Sequence, residues 1–170
     1  MPNGADQGGA SSAGREGKIM GIGQVVLVTA VAGLAMLGTS TARSQGIQHS
    51  AVLNGGNEVS NAGQAAVGDP NGHGSASVIF IDSGRICFSI LVDDIDTPVV
   101  AHIHENVAGQ NGPIVVNLIP PGSGNPGASS RCISGIDPAL VQRIRNSPSS
   151  FYVNVHTAAF PAGAVRGQLF

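Results

Sequence analysis

Residues 85–92 read Arg-Ile-Cys-Phe-Ser-Ile-Leu-Val, and this stretch decides the fold class. Every second residue from position 86 to position 92 is large and apolar, which is the pattern of a β-strand with one buried face. An Asp-Ser-Gly turn at 82–84 precedes it, and residues 75–82 read as the strand before that turn. The stretch therefore predicts a β-hairpin that contributes one apolar face to a core.

Turn-rich segments divide the rest of the chain into further short strands. The candidate strands are 47–53, 99–105, 113–119, 151–157 and 163–170. The last two read as a hairpin, and residues 54–74 and 120–130 are predicted to be loops because they are rich in turn-forming residues. About seven short strands spaced by turns predict an all-β domain, an Ig-like or Greek-key β-sandwich.

One short helix is expected as an excursion from this sandwich. Asp137 can cap its start, and Pro138 suits the first helical position. The apolar side chains that then share one face are Leu140, Val141 and Ile144. The Asn-Ser-Pro run at 146–148 ends the helix.

Length and composition restrict the classes of function. The 170 residues allow one domain of ordinary size, and 42% of them are hydrophobic, so a core is available. The net charge is −2 and Lys18 is the single lysine, which argues against a nucleic-acid-binding or polybasic surface. Neither a Gly-x-Ser-x-Gly nor a His-Glu-x-x-His motif occurs. We therefore predict that the protein is not an enzyme.

Residues 1–45 are predicted to be an N-terminal leader that contains a signal peptide. Its apolar region, about residues 19–38, follows basic residues, and small residues at 40–44 suit a cleavage site. The alternative is an uncleaved membrane anchor, because 20 residues are just long enough to span a bilayer. Residues 46–170 then form a domain that is secreted or held in the cell envelope.

The two cysteines, Cys87 and Cys132, both fall in the predicted exported domain. Two cysteines in an oxidising compartment usually pair, so we predict a disulfide between them. The alternative is two buried free thiols. A metal site at these cysteines is disfavoured, because neither has a second Cys or a His at ligand spacing.

Three strand segments place polar side chains opposite their apolar residues. In residues 101–104, Ala-His-Ile-His, the two histidines share one face. The same alternation holds in residues 153–156, Val-Asn-Val-His, and in residues 165–169, Val-Arg-Gly-Gln-Leu. If the segments lie in one sheet, one surface gathers these side chains: His102, His104, Asn154, His156, Arg166 and Gln168.

Two interpretations of this surface stay open. In the first, His102, His104 and His156 bind Cu(II) or Zn(II), with ring nitrogens within about 3–4 Å of one another. In the second, there is no cofactor, and the side chains form a hydrogen-bonded network for structure or ligand recognition. The guanidinium of Arg166 disfavours a nearby cation and so favours the second interpretation.

Three blocks of the sequence resemble the CHRD domain, which is named for chordin. The blocks are 53–59, then 101–104 with 108–116, and finally 152–157 with 160–169. Ser60 stands where the family usually has a proline after its opening block. The spacing of Cys87 and Cys132 is similar to that of bacterial secreted members, and the resemblance covers about residues 47–170.

The resemblance implies an extracellular, all-β binding or structural module, and it brings no catalytic residue set. We therefore predict a secreted, non-enzymatic module whose partner is an unidentified extracellular protein or cell-envelope ligand. Nucleic acid is not an expected partner, and a membrane is expected only through an uncleaved leader. A copper- or zinc-binding envelope protein is the alternative. A hydrolase or dismutase-like enzyme using the same polar surface is the least favoured hypothesis.

Overall fold

The computed structural model describes residues 47–170. The predicted leader lies outside the described residues, so its cleavage or retention stays a prediction. The described strands are β1 (Gln48–Asn54), β2 (His73–Asp82), β3 (Arg85–Asp93), β4 (Pro98–Glu105), β5 (Ile114–Leu118), β6 (Gly127–Ser134), β7 (Phe151–Thr157) and β8 (Val165–Gln168). One helix, α1 (Pro138–Asn146), and two short 3-10 turns (Gly55–Asn57 and Pro148–Ser150) accompany them.

All eight strands belong to one sheet, in the order β5-β4-β7-β8-β1-β2-β3-β6. Every pair of neighbouring strands is antiparallel. The sheet is curled, and its edge strands approach each other where Ser129 Oγ donates a 2.7 Å hydrogen bond to the Ile119 carbonyl. The predicted all-β class with one short helix is confirmed. The strands are joined in a single sheet rather than divided between two, because β1 pairs with both β2 and β8.

The curled sheet encloses one hydrophobic core. The alternation in the 85–92 stretch has the predicted result, since Ile86, Phe88, Ile90 and Val92 are all buried. Inward side chains of the other strands join them in a single cluster. Burial of this apolar surface is the main contribution to stability, at roughly 25 cal/mol for each Å² removed from water.

Helix α1 begins and ends where the sequence predicts. The Ala139 amide donates a 2.9 Å hydrogen bond to Asp137 Oδ1, which caps the helix, and Pro138 is its first residue. The predicted apolar face, Leu140, Val141 and Ile144, is buried in the core cluster. Because α1 follows β6 and leads to β7, the helix lies at the end of the sheet where β6 ends and β7 begins.

Strand β6 differs from the sequence prediction, which assigned residues 120–130 to a loop. Residues 127–130 belong to β6, which pairs with β3 along eight residues. The segment has no apolar alternation, so its strand conformation comes from pairing with β3 and not from a local pattern. Cys132 lies directly opposite Cys87 in this pair, and their sulfur atoms are bonded, as predicted.

The outer surface of the sheet divides into an open and a covered half. On β2 and β3, outward residues such as Ser75 and Leu91 are exposed. By contrast, every residue of β7 is buried, because the core lies against one face and loops lie against the other. The polar surface predicted from the sequence lies in this covered half. In the part of the chain described here, no helix is long and apolar enough to cross a membrane.

Candidate functional site

The structure brings the three predicted histidines together on the outer face of neighbouring strands. His102 and His104 project from β4, and His156 projects from β7, which pairs with β4. The ring centroids of His102 and His156 are 5.1 Å apart, and those of His104 and His156 are 6.1 Å apart. One ring nitrogen from each histidine lies within 4.8 Å of the others.

One pair of these nitrogens already has the spacing of metal ligands. His102 Nδ1 lies 3.2 Å from His156 Nε2. Two nitrogens of a tetrahedral zinc site are about 3.3 Å apart, because each lies about 2.0–2.1 Å from the ion. The three nitrogens together span up to 4.8 Å, which is wider than the predicted span of about 3–4 Å, so at least one ring must shift to complete a site.

Backbone carbonyls fix the orientation of two of the rings. His104 Nδ1 lies 2.9 Å from the Gly112 carbonyl, and His156 Nδ1 lies 3.1 Å from the Pro161 carbonyl. A carbonyl oxygen only accepts, so both Nδ1 atoms carry the proton and both Nε2 atoms keep a free lone pair. His104 Nε2 is buried and has no hydrogen-bond partner among residues 47–170. This arrangement is typical of metal-ligating histidines, whose second nitrogen donates to a carbonyl or carboxylate.

Burial keeps the three rings neutral. Burial, together with the neighbouring His156 and His104, lowers the pKa of His102 to about 4. Burial also lowers the pKa of His104 and of His156, against the opposing effect of their hydrogen bonds to backbone carbonyls. Neutral imidazole is the form that binds a metal ion, so at neutral pH the three rings need not lose a net proton to bind one.

Tyr152 separates the histidines from the guanidinium of Arg166. The Tyr152 ring stacks on His104 with centroids 4.8 Å apart and planes 6° apart. Arg166 Cζ lies 3.4 Å from the centroid of the same ring. A stacked ring and a guanidinium at these distances cannot share one face, so they contact opposite faces of Tyr152. Arg166 therefore does not occupy the space between the histidine rings.

The donors of Arg166 hold the loop between β4 and β5, residues 106–113. Its Nη2 donates to the carbonyls of Val107 (3.2 Å) and Gln110 (2.7 Å), and its Nη1 donates to Asn111 Oδ1 (3.2 Å). Gln168 Nε2 donates to the Asn106 carbonyl of the same loop at 2.8 Å. These contacts lie within the chain, so the loop is part of the polar surface and partly covers it.

Asn154 and Glu58 form a second buried polar group beside Arg166. Glu58 is 1% exposed and Asn154 is 2% exposed, and among the described residues Glu58 Oε1 and Asn154 Oδ1 have no hydrogen-bond partner. Burial raises the pKa of Glu58 to about 7, against the opposing effects of the Arg166 charge and the Asn154 side chain. A side chain at Gly163 would clash with the Glu58 carboxylate, so the glycine there permits a close contact.

Sequence reasoning missed two participants at this surface. Glu58 lies in a loop without periodicity, so nothing in its neighbourhood indicates that its carboxyl is buried. Tyr152 precedes the predicted Asn154 and His156 at the same two-residue period, and alternation alone would have found it. Its hydroxyl accepts a 3.1 Å hydrogen bond from the Gly112 amide, on the residue that also orients His104.

The donor set fits a transition-metal ion. It consists of three neutral imidazoles, a set that suits Cu(II) or Zn(II) and does not suit Ca²⁺ or Mg²⁺, which prefer oxygen ligands. The buried, unpartnered His104 Nε2 is the observation that fits an ion best, because a buried acceptor without a donor is costly unless a ligand satisfies it. Three protein ligands leave one tetrahedral position free.

Comparison with known proteins agrees with the resemblance seen in the sequence. The CHRD domain family matches residues 49–169, which include the three clustered histidines and all the described strands except the first residue of β1. No curated protein and no solved structure matches the chain significantly. Because the match spans most of the chain, the protein belongs to the CHRD domain family.

Proposed function

We propose that this CHRD domain is an exported, non-enzymatic module that binds one copper or zinc ion through His102, His104 and His156. The observation that carries the proposal is the orientation of His104 and His156. Each donates its Nδ1 proton to a loop carbonyl, which leaves Nε2 as the only nitrogen that can bind an ion. Four buried atoms of the described polar surface have no partner, namely Glu58 Oε1, His104 Nε2, Asn154 Oδ1 and Gln168 Oε1. Of these, His104 Nε2 is the one that an ion at the three histidines would satisfy.

The surroundings of the site reduce the electrostatic objection to a cation. Arg166 carries the nearest fixed positive charge, and the Tyr152 ring lies between its guanidinium and His104. Its charge is also partly balanced by the buried Glu58 carboxyl, whose pKa the Arg166 charge lowers. Arg166 therefore repels an ion at the three histidines less strongly than its place on the same surface of the sheet indicates.

The metal-binding proposal is tested by titrating the purified full chain with Cu(II) and Zn(II) and by elemental analysis of the bound ion. We expect one ion per chain, and a loss of affinity of about tenfold or more in His104→Ala, because a ligand fixed by its Nδ1 contact is removed. The matched control is His73→Ala, since His73 is an exposed strand histidine outside the cluster. Equal affinity of wild type and His104→Ala would overturn the proposal.

Export is the part of the proposal that concerns location. The CHRD assignment and the Cys87–Cys132 disulfide are consistent with an oxidising, extracellular compartment. A partner protein or cell-envelope ligand, expected from the family resemblance, stays a prediction. Pull-down from culture medium and from envelope fractions with the metal-loaded and metal-free protein tests whether a partner exists and whether its binding needs the ion.

A further inference from the structure

Resting on the metal-binding proposal, we infer that His102 is the exchangeable ligand of the site. In the metal-free protein, His102 covers the lone pair of His156. In the metal-bound protein, it occupies the coordination position that faces solvent, where an imidazole from solution or from another protein can replace it.

The three histidines differ in how firmly they are held. His104 is 8% exposed and His156 is 7% exposed, and each has a backbone carbonyl that fixes its ring. His104 is in addition stacked on Tyr152. His102 is more exposed than either, and its single side-chain hydrogen bond is to His156. Within residues 47–170, no loop residue forms a hydrogen bond with the His102 ring, so it is the ligand that can move.

The direction of the hydrogen bond between His102 and His156 follows from their other contacts. His156 Nδ1 donates to the Pro161 carbonyl, so Nε2 of the neutral ring is an acceptor. His102 Nδ1, 3.2 Å from that Nε2, must therefore carry a proton and donate it. The lone pair that His156 would offer to an ion is thus already satisfied in the metal-free protein.

Metal binding must break this hydrogen bond. For His102 to bind the ion through Nδ1, its ring loses the Nδ1 proton to water and takes one at Nε2 from water, so no net proton is released. This exchange is accessible because the ring is partly exposed. His104 and His156 need no such change, since their Nε2 lone pairs are already free of protons. His104 and His156 then form the fixed pair, and His102 completes the site last.

Chemical rescue with imidazole tests the inference on the full chain. We expect His102→Ala to weaken Zn(II) binding by about tenfold, a cost of the size seen when a metal site is perturbed. Millimolar imidazole should restore most of the lost affinity, because the vacated position opens to solvent. The matched variant is His104→Ala, whose vacated position is covered by Tyr152 and the 106–113 loop, and imidazole should not rescue it.

The outcomes separate this inference from the proposed function. If the wild-type chain binds neither Cu(II) nor Zn(II), the proposed function fails and the inference with it. If the wild type binds but imidazole rescues both variants or neither, only the inference fails. A second measurement needs no variant: imidazole should accelerate release of Zn(II) from the wild-type chain to a chelator such as EDTA. An unchanged release rate would also overturn the inference.

Discussion

Replacing Arg166 by methionine tests whether its guanidinium is a structural group. Arg166 is 1% exposed and donates to the carbonyls of Val107 and Gln110 and to Asn111 Oδ1. It also lies 3.4 Å over the Tyr152 ring. Methionine has a similar length but no donors, so Arg166→Met removes three hydrogen bonds to loop residues that are themselves exposed, and it removes the cation–π contact.

The expected cost follows from these contacts. Hydrogen bonds from a charged donor contribute about 1.5–3 kcal/mol each, but neighbouring losses are not additive. The combined loss of these hydrogen bonds and of the cation–π contact is then about 4 kcal/mol. The entropy of unfolding is about 2.1 cal/mol/K per residue, or about 0.26 kcal/mol/K for residues 47–170. A loss of 4 kcal/mol therefore lowers Tm by about 15 °C.

Differential scanning calorimetry of the full chain measures this shift, with Arg143→Met as the matched control. Arg143 also pairs with a carboxylate, Glu105 at 3.2 Å, but the two side chains are 51% and 34% exposed. Exposed pairs contribute less than about 1 kcal/mol, so the control should lose less than about 4 °C. Equal shifts in the two variants would refute the structural role assigned to Arg166.

Three further predictions concern the disulfide, the buried carboxyl and the leader. The double variant Cys87→Ser/Cys132→Ser, which opens a link between residues 45 apart, should lose about 4 kcal/mol in a urea melt, and an unchanged midpoint would contradict the chain-entropy argument. Glu58 has its pKa raised from 4.5 to about 7, so the folded state binds its proton more tightly than the unfolded state. The stability that this proton contributes is complete below pH 4.5 and is lost as pH rises through 7, and Glu58→Gln should lack that decline. Equal slopes of the free energy of unfolding against pH in the wild type and in Glu58→Gln would contradict this prediction. Mass spectrometry of the exported protein should place its N-terminus between residues 43 and 47, whereas an intact N-terminus in membrane fractions would support the anchor.

Local periodicity was sufficient for most strands and for the composition of the polar surface. The alternation in Ala-His-Ile-His and Val-Asn-Val-His assigns His102, His104 and His156 to one face, and pairing of β4 with β7 brings them together. The cap at Asp137 is likewise a local signal. These features are determined by residues that are close together in the sequence, so they can be predicted from it.

The features that the sequence did not predict depend on contacts between distant residues. Strand β6 has no apolar period and is a strand because β3 pairs with it. The burial of β7 on both faces requires loops that fold over it, and these are tied by contacts such as Asn111 to the Val59 carbonyl, 52 residues away. The pairing of β8 with β1, which joins the strands into one sheet, also cannot be predicted from the two-residue alternation of a strand.

The polar network and the metal site, posed as alternatives by the sequence, occupy different parts of one surface. Arg166 and Gln168 use their donors to hold the 106–113 loop. That loop carries Gly112, whose carbonyl orients His104 and whose amide donates to the Tyr152 hydroxyl. The network thus holds His104 in its orientation. Residues that contact the ligands, but not the ion, have the same role in preorganised metal sites. Burial and, to a smaller extent, the Arg166 guanidinium lower the pKa of His104, but the guanidinium lies across the Tyr152 ring from His104 and so does not fill the space that an ion would occupy.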